Sequence, residues 1–290
     1  MDIARFRAFA TSVETGSFTR AAEKLNYTPS GVCQLVNALE KELGFPVLLR
    51  DKRGVRPTTE GNRILPVVRE LLHQDDLLQQ LSAEINGLTM GKITIGSYSS
   101  IATHWLPRII KEFQDMYPQI EIHLMEGIRQ EIDEWLVDRS IDLALFSYKP
   151  GMNYDWIPLK EDQMLAVLPR NHPLAQADAY PLSNCQNEKF IMPGMGRDED
   201  VAELFRRNHL SPQISFSTLE NFATLSMIEQ GMGISIMNDL ITRNWICDVA
   251  KLPLDPPQSV TFGIAVPSMN NTSPIVRRFI DFSVEQLRSE

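Results

Sequence analysis

The chain has 290 residues, 43% of them hydrophobic and 22% charged, with a formal net charge of −9. That composition suits ordinary soluble cores and excludes a disordered chain, and no apolar run approaches the roughly 20 residues of a membrane span. The acidic total also argues against non-specific nucleic-acid binding by the whole molecule.

The charge is unevenly placed. Residues 1–60 carry nine Lys and Arg against seven Asp and Glu, a net of +2 that leaves −11 for the remainder. A slightly basic head therefore precedes an acidic body, and only the head suits an approach to phosphate. The start, Met1-Asp2-Ile3-Ala4-Arg5, has no apolar signal core, so a cytoplasmic location is expected. Cys33, Cys185 and Cys247 are far apart and form no CxxC or Cys/His metal spacing, which fits packed thiols in a reducing compartment. No metal or other cofactor is expected.

In the head, Ile3, Phe6, Phe9, Ala10 and Val13 recur at helical spacing. Gly16 stops this first helix and Ser17 caps a second, whose inward face is Phe18, Ala21, Ala22 and Leu25. Asn26-Tyr27 makes a turn. Thr28 caps a third helix with Pro29 at its first position, where a missing N–H costs nothing. That helix runs from about Pro29 to Leu43 and stops at Gly44. Val32, Leu35, Val36, Leu39 and Leu43 point inward, while Ser30, Gly31, Gln34, Asn37 and Ala38 point outward. Small and amide side chains near a helix N-terminus suit major-groove reading, since Gln makes a bidentate contact to adenine. Residues 45–57 then read as two short extended runs around a basic turn. This is a wing, with Arg50, Lys52, Arg53 and Arg56 as its cations toward the DNA backbone. The candidate DNA-binding set is Ser17, Thr28, Pro29, Ser30, Gln34, Asn37 and those four cations.

Residues 1–61 resemble the winged helix-turn-helix of the LysR-type transcriptional regulators. The resemblance rests on Phe9, Gly16-Ser17-Phe18, Ala21-Ala22, Leu25, Ser30, Val32, Leu39-Glu40-Lys41-Glu42-Leu43-Gly44, Leu48, Arg50, Arg53 and Thr59-Glu60-Gly61. One departure stands out. The family's Ala-Val-Ser is Gly31-Val32-Cys33 here, so a serine that commonly touches the DNA backbone is replaced by a poor hydrogen-bonder.

A long helix follows, capped by Thr59 and running to about Asn86-Gly87. Ile64, Val67, Leu71, Gln74, Leu78, Leu81, Ile85 and Leu88 alternate spacings of three and four, which is an a/d seam through more than three heptads. Gln74 is a polar interruption suited to fixing register. Pro66 is expected to bend the helix or delay its start. The dimerisation set is Ile64, Val67, Leu71, Leu78, Leu81 and Ile85, and in the family this helix pairs two subunits so that two heads face two half-sites.

Gly87 and Gly91 mark a hinge into an alternating strand–helix body, the pattern of a mostly parallel α/β sheet. This body resembles the family's two-lobed effector domain, similar to periplasmic binding proteins. Leu106-Pro107, Phe113, Tyr117-Pro118, Asp142-Leu143-Ala144 and Gly231-Met232-Gly233-Ile234 carry the likeness. The expected fold class is thus α/β with an all-α winged head, in three parts. Residues 1–58 are the DNA-binding domain, 59–90 the linker helix and hinge, and 91–290 the effector domain. Its lobe I is 91–161 and 267–290; its lobe II is 162–266.

In open α/β sheets, ligands bind beyond the carboxyl ends of the strands. Here that region holds Ser99, Ser100 and Ile101 after the first strand, Arg129 after the second, Ser147 after the third, and Arg197 before a lobe II helix. Hydroxyls leading into a helix N-terminus, together with arginines, favour a small anion as effector. The resemblance implies operator DNA, a small-molecule effector, a homodimer or homotetramer, and RNA polymerase as partners. It implies no membrane.

No catalytic signature competes with this. The five histidines lack HExxH spacing, and no GxSxG elbow, P-loop or complete GxGxxG occurs. Two alternatives remain open. One is a redox sensor on the same scaffold, pairing Cys185 with Cys247; the other is a ligand-binding protein with no role on DNA.

Overall fold

The computed structural model describes residues 2–52, 54–86 and 90–288 and divides into two compact units. Arg53, Gly87 and Leu88, all named above, lie outside the described residues.

The first unit holds Met1–Gly91 together with Glu134–Ser140. Its elements are α1 (Ile3–Thr15), α2 (Phe18–Leu25), α3 (Pro29–Leu43), the hairpin β1 (Leu48–Asp51) and β2 (Gly54–Pro57), and α4 (Thr59–Ile85). The head helices start and stop where short polar residues satisfy orphan N–H groups and where left-handed residues end the ladder. Ser17 accepts from Arg20 N and Thr28 from Gly31 N; Gly16, Asn26 and Gly44 close the three helices at φ of 63°, 56° and 82°. Phe9, Ala21, Ala22, Val32, Val36 and Leu39 pack into one core. The small Ala21-Ala22 pair is almost fully buried there, so a larger side chain on α2 would push its neighbours apart.

The linker helix departs from expectation in two ways. Its cap is Thr58, which accepts from Gly61 N at 2.8 Å, and not Thr59. Only Thr58 sits one residue outside the helix with its oxygen facing the first free N–H groups. Pro66 neither delays the helix nor interrupts it, for α4 runs from Thr59 to Ile85 with Pro66 inside. On the inner face of α4, Leu65, Val68 and Leu72 join the head core, and Arg7 reaches across from α1 to Asp75 at 2.8 Å and Asp76 at 2.7 Å.

The second unit spans Lys92–Asp133 and Ile141–Glu290. Its elements in order are β3 (Gly91–Ser97), α5 (Ser99–His104), α6 (Leu106–Met116), β4 (Ile120–Glu126), α7 (Arg129–Val137), β5 (Leu143–Ser147) and β6 (Asp155–Pro169). There follow β7 (Tyr180–Pro181), β8 (Lys189–Met192), the single turn α8 (Pro193–Gly196), α9 (Glu199–Arg207), β9 (Gln213–Ser217), α10 (Asn221–Glu229) and β10 (Ser235–Asn238). The last are α11 (Asp239–Thr242), β11 (Val249–Asp255), β12 (Ser259–Val266) and α12 (Pro274–Arg288).

Among the described residues, eight strands form one sheet in the order β4-β3-β5-β12-β6-β11-β7, with β10 also on β6. It is mixed and not mostly parallel. β3 and β5 are parallel, but β12 runs antiparallel to β5 and β6, and β6 antiparallel to β10 and β11. The sequence pattern misses this because alternation of strand and helix says nothing about strands that return from a distant part of the chain.

β6 explains the two lobes. Its fifteen residues pair with β12 over the first part and with β10 and β11 over the last, so position 161/162 falls inside one continuous strand. Buried residues gather into a lobe I core around Ile93, Ile95, Phe113 and Phe279, and a lobe II core around Ala166, Phe190, Ile236 and Leu252. Asp162 on β6 accepts from Asn238 Nδ2 at 2.7 Å and Leu240 N at 2.8 Å. The middle of β6 is thereby tied to the end of β10 and the start of α11.

Candidate DNA-reading face and effector crevice

On α3, Val32, Val36 and Leu39 are buried while Ser30, Gln34 and Asn37 are exposed. Thr28 and Pro29, at the helix start, are exposed too. Thr28 is committed locally, capping Gly31 and meeting Ser30 Oγ at 3.1 Å; Ser17 caps α2. Gln34 and Asn37 are thus the amides that project from the recognition helix.

The wing is joined to this helix through one carboxylate. Glu40 Oε1 accepts from Val47 N at 2.8 Å and Leu48 N at 3.1 Å, and Glu40 Oε2 receives Arg50 Nη2 at 2.8 Å. Arg50 also lies over the Phe18 ring at 5.2 Å and donates to Cys33 Sγ at 3.4 Å. Arg50 therefore braces wing against helix, which changes its expected part as a freely projecting cation. Arg56 meets Asp51 across the hairpin at 2.8 Å, and Lys52 is exposed at the wing turn. Gly54 fits because a Cβ there would come within 2.6 Å of the Gly16 carbonyl, the same oxygen that accepts from Val55 N at 2.9 Å.

The outward face of α4 carries the predicted seam. Val67 is 71%, Leu78 67% and Ile85 85% exposed, and Leu71 and Leu81 are exposed with them; Ile64 is partly buried against the head. Gln74 donates to Glu70 on the same helix at 3.0 Å. A row of exposed aliphatic side chains at three- and four-residue spacing is what an unpaired coiled-coil strand presents.

In the second unit the strand ends bring together Tyr98, Arg129 and Ser147. Arg129 is 3% exposed. Its Nη2 donates to Ser147 Oγ at 2.9 Å and also to the Ser147 carbonyl, while Nε donates to Tyr98 OH at 3.3 Å. Its guanidinium lies 4.5 Å over the Phe146 ring. Tyr98 OH is 3.3 Å from Ser147 Oγ, and Ser147 Oγ donates to Asp200 Oδ1 at 2.6 Å. Burial lowers the Arg129 pKa most, yet attraction from Tyr98 and Asp200 turns the net shift upward. Burial pushes the Tyr98 hydroxyl up, with the Asp200 charge adding to it. The Asp200 carboxyl is raised by burial against the lowering pull of Ser147 and Arg129, and Asp198 is raised by burial and then by Asp200's charge.

The other expected effector residues divide. Ser100 is buried at the first turn of α5 beside half-buried Ser99. The Ile101 side chain is fully buried in the lobe I core, which corrects its place in the effector set. An apolar side chain on the inner face of α5 gains more by burial than by facing water. Arg197 is exposed and donates to Gln130 Oε1 at 3.3 Å. Sequence reasoning missed Tyr98, Asp198 and Asp200. The signal available was Asp198-Glu199-Asp200 ahead of a helix, which reads first as N-terminal capping. Asp198 does accept from Val201 N at 3.0 Å.

The cysteines do not suit a redox pair. Cys185 packs in the lobe II core, whereas Cys247 packs with the cluster around Val167, Ile228 and Met237. Adjacent residues of β6, Ala166 and Val167, point into those two clusters, so they lie on opposite faces of the sheet. Burial also pushes the Cys185 thiol up to about 12, far from the thiolate that disulfide chemistry requires.

A winged helix-turn-helix with an effector-binding α/β domain defines a DNA-binding transcriptional regulator. The family model for bacterial regulatory helix-turn-helix proteins of the lysR family matches residues 3–62, and that for the LysR substrate binding domain matches residues 86–288. An uncharacterised HTH-type transcriptional regulator of Bacillus subtilis, YvbU, is 32% identical over 293 residues, covering 100% of both chains. Among solved structures, a full-length OxyR variant from Pseudomonas aeruginosa superposes with a TM-score of 0.80 at 19% identity, over 99% of this chain and 95% of that one. The CcmR regulatory domain of Synechocystis PCC6803, in complex with 2-PG, gives a TM-score of 0.63 at 23% identity, over 69% of this chain and 98% of that one. This chain belongs to the LysR family of transcriptional regulators.

Proposed function

We propose that the protein reads operator DNA as a homodimer or homotetramer and adjusts transcription when a small anion binds between its lobes. Gln34 and Asn37 read base edges. Lys52, Arg53 and Arg56 meet phosphates, as do the α3 N-terminus at Ser30 and the caps Ser17 and Thr28. Arg50 sets the wing that presents those cations. Ile64, Val67, Leu71, Leu78, Leu81 and Ile85 pair two linker helices, and the heads then fall on spaced half-sites. The effector meets Ser99, Ser100, Arg129 and Ser147, with Arg197 at the rim; binding shifts the lobes between two arrangements. Contact with RNA polymerase, a cytoplasmic location and the lack of a catalytic role complete the reading. No helix among the described residues is long and apolar enough to cross a membrane.

One observation carries the effector part: a guanidinium only 3% exposed at the strand ends, held in place by Tyr98 and Ser147. Burying a cation is costly unless it is paired; Arg129 has Asp133 at 4.0 Å beside these hydrogen bonds, and a guanidinium at the strand ends favours an anionic ligand. For the DNA part, selection of duplex sites from random DNA by the full-length protein is expected to yield a two-fold related motif. Gln34→Ala then weakens binding to that motif by about 1–3 kcal/mol at particular base pairs. An unchanged base preference would remove Gln34 from the reading face, and recovery of no motif by the wild type would overturn the operator role.

A further inference from the structure

The crevice already holds a carboxylate, and it belongs to the chain. Ser147 has one proton to give. Arg129 donates to Ser147 Oγ from Nη2 and to Tyr98 OH from Nε, so Tyr98 keeps its own proton for Ser147. With Arg129 and Tyr98 both directed at its oxygen, the Ser147 hydroxyl proton is oriented outward to Asp200 Oδ1, 2.6 Å away. A buried cation therefore polarises a chain of hydroxyls that ends in one donor aimed at an acceptor. Such a charge-assisted donor suits a carboxylate oxygen better than a neutral group.

That acceptor comes from the opposite lobe. Asp200 is in the first turn of α9, while Ser147 ends β5. Its neighbours dock with it: Glu199 pairs with Lys149, and Arg197 meets Gln130 at 3.3 Å. Residues 197–200 thus form a strap from lobe II laid across the lobe I strand ends. Asp200 stays there at some electrostatic cost, because burial and the neighbouring Glu199 charge both oppose its charge. A second carboxylate brought to Ser147 meets the Asp200 carboxylate already bonded there.

We infer that Asp200 is the resident carboxylate of the effector crevice, occupying from lobe II the Ser147 donor at which a small carboxylate ligand binds, so that the ligand enters by displacing it. This rests on the crevice reading above. It adds that the ligand-free lobes are held by an internal competitor and that the ligand replaces a direct lobe–lobe bond.

The test is chemical rescue in the full-length protein, with sodium acetate as probe and sodium chloride at matched ionic strength as control. Asp200→Ala vacates the carboxylate position. Its thermal midpoint should fall below that of the wild type and rise again with acetate, and its apparent acetate affinity by titration calorimetry should exceed that of the wild type at least tenfold. Adding Ser147→Ala to this variant should abolish the gain. Equal acetate responses in wild type and Asp200→Ala, or no response in an Asp200→Ala protein of native circular dichroism, would overturn the inference. If Asp200→Ala does not fold, Asp200→Asn keeps the shape and removes the charge. Acetate should then compete at least tenfold better than against the wild type, and equality again overturns the inference. Operator binding measured on the same samples separates the two ideas: a retained footprint with no rescue defeats the resident carboxylate alone.

Discussion

Leu78→Ala is the sharpest test of how α4 is used. Leu78 is 67% exposed on a face whose other members, Val67, Leu71, Leu81 and Ile85, are exposed with it. Complete burial of a leucine side chain is worth about 1.5–3 kcal/mol. Two-thirds of that surface remains for a partner helix to cover, so each protomer has about 1–2 kcal/mol at stake there, and a symmetric pair about 2–4 kcal/mol. At 1.4 kcal/mol per tenfold, the subunit dissociation constant should rise roughly 30- to 700-fold. Sedimentation equilibrium on the full-length protein reads this directly, and affinity for a two-half-site operator should fall with it. Leu72→Ala is the matched control. Leu72 faces the head core on the same helix, so its loss should lower thermal stability by about 2–5 kcal/mol and leave the association constant of the folded protein nearly unchanged. A dissociation constant within twofold of the wild type for Leu78→Ala would refute the seam as the pairing surface.

Two further outcomes follow from single carboxylates. Glu40→Ala leaves the buried Val47 and Leu48 amides without their acceptor, at about 1–3 kcal/mol per unsatisfied group. Hydrogen exchange at those two amides should accelerate tenfold or more, and unchanged protection would show that Glu40 does not hold the wing. Asp198 is a carboxyl raised to about 7, by burial first and then by Asp200. Because the folded value lies above the unfolded one, the stability it contributes is present below the unfolded pKa and is lost as pH rises through about 7. The thermal midpoint should therefore fall as pH rises from about 4 to about 7 and level off above that, and Asp198→Asn, which keeps a capping oxygen for Val201, should flatten that slope. An equal slope in the variant would show that Asp198 does not titrate in this range.

Much of the head was legible in the residues because its determinants are local. Ser17 and Thr28 cap because a short hydroxyl reaches N–H groups two or three residues ahead. Gly16 and Gly44 end helices because they adopt φ above zero without a Cβ penalty. The α4 seam was equally visible, since periodicity alone sets which side chains share a face. What lay beyond local reading were contacts joining distant segments. Nothing near Arg50 announces that Glu40 and Phe18 will hold it, and nothing near Ile101 says that its side of a six-residue helix faces the core.

The crevice marks the same division. Ser147 and Arg129 could be named because strand ends in α/β sheets are where ligands gather, a rule that needs only the order of strands and helices. Asp200 could not be named. Its carboxylate meets Ser147 only because β6 runs on from lobe I into lobe II and returns the chain through α9 to the lobe I strand ends. Sequence by itself determined a winged helix-turn-helix head, a long helix with an apolar seam and an α/β domain, because pattern and propensity act over a few residues. Tertiary structure alone decided which charges are buried together, because that depends on groups 53 positions apart in the chain reaching hydrogen-bond distance.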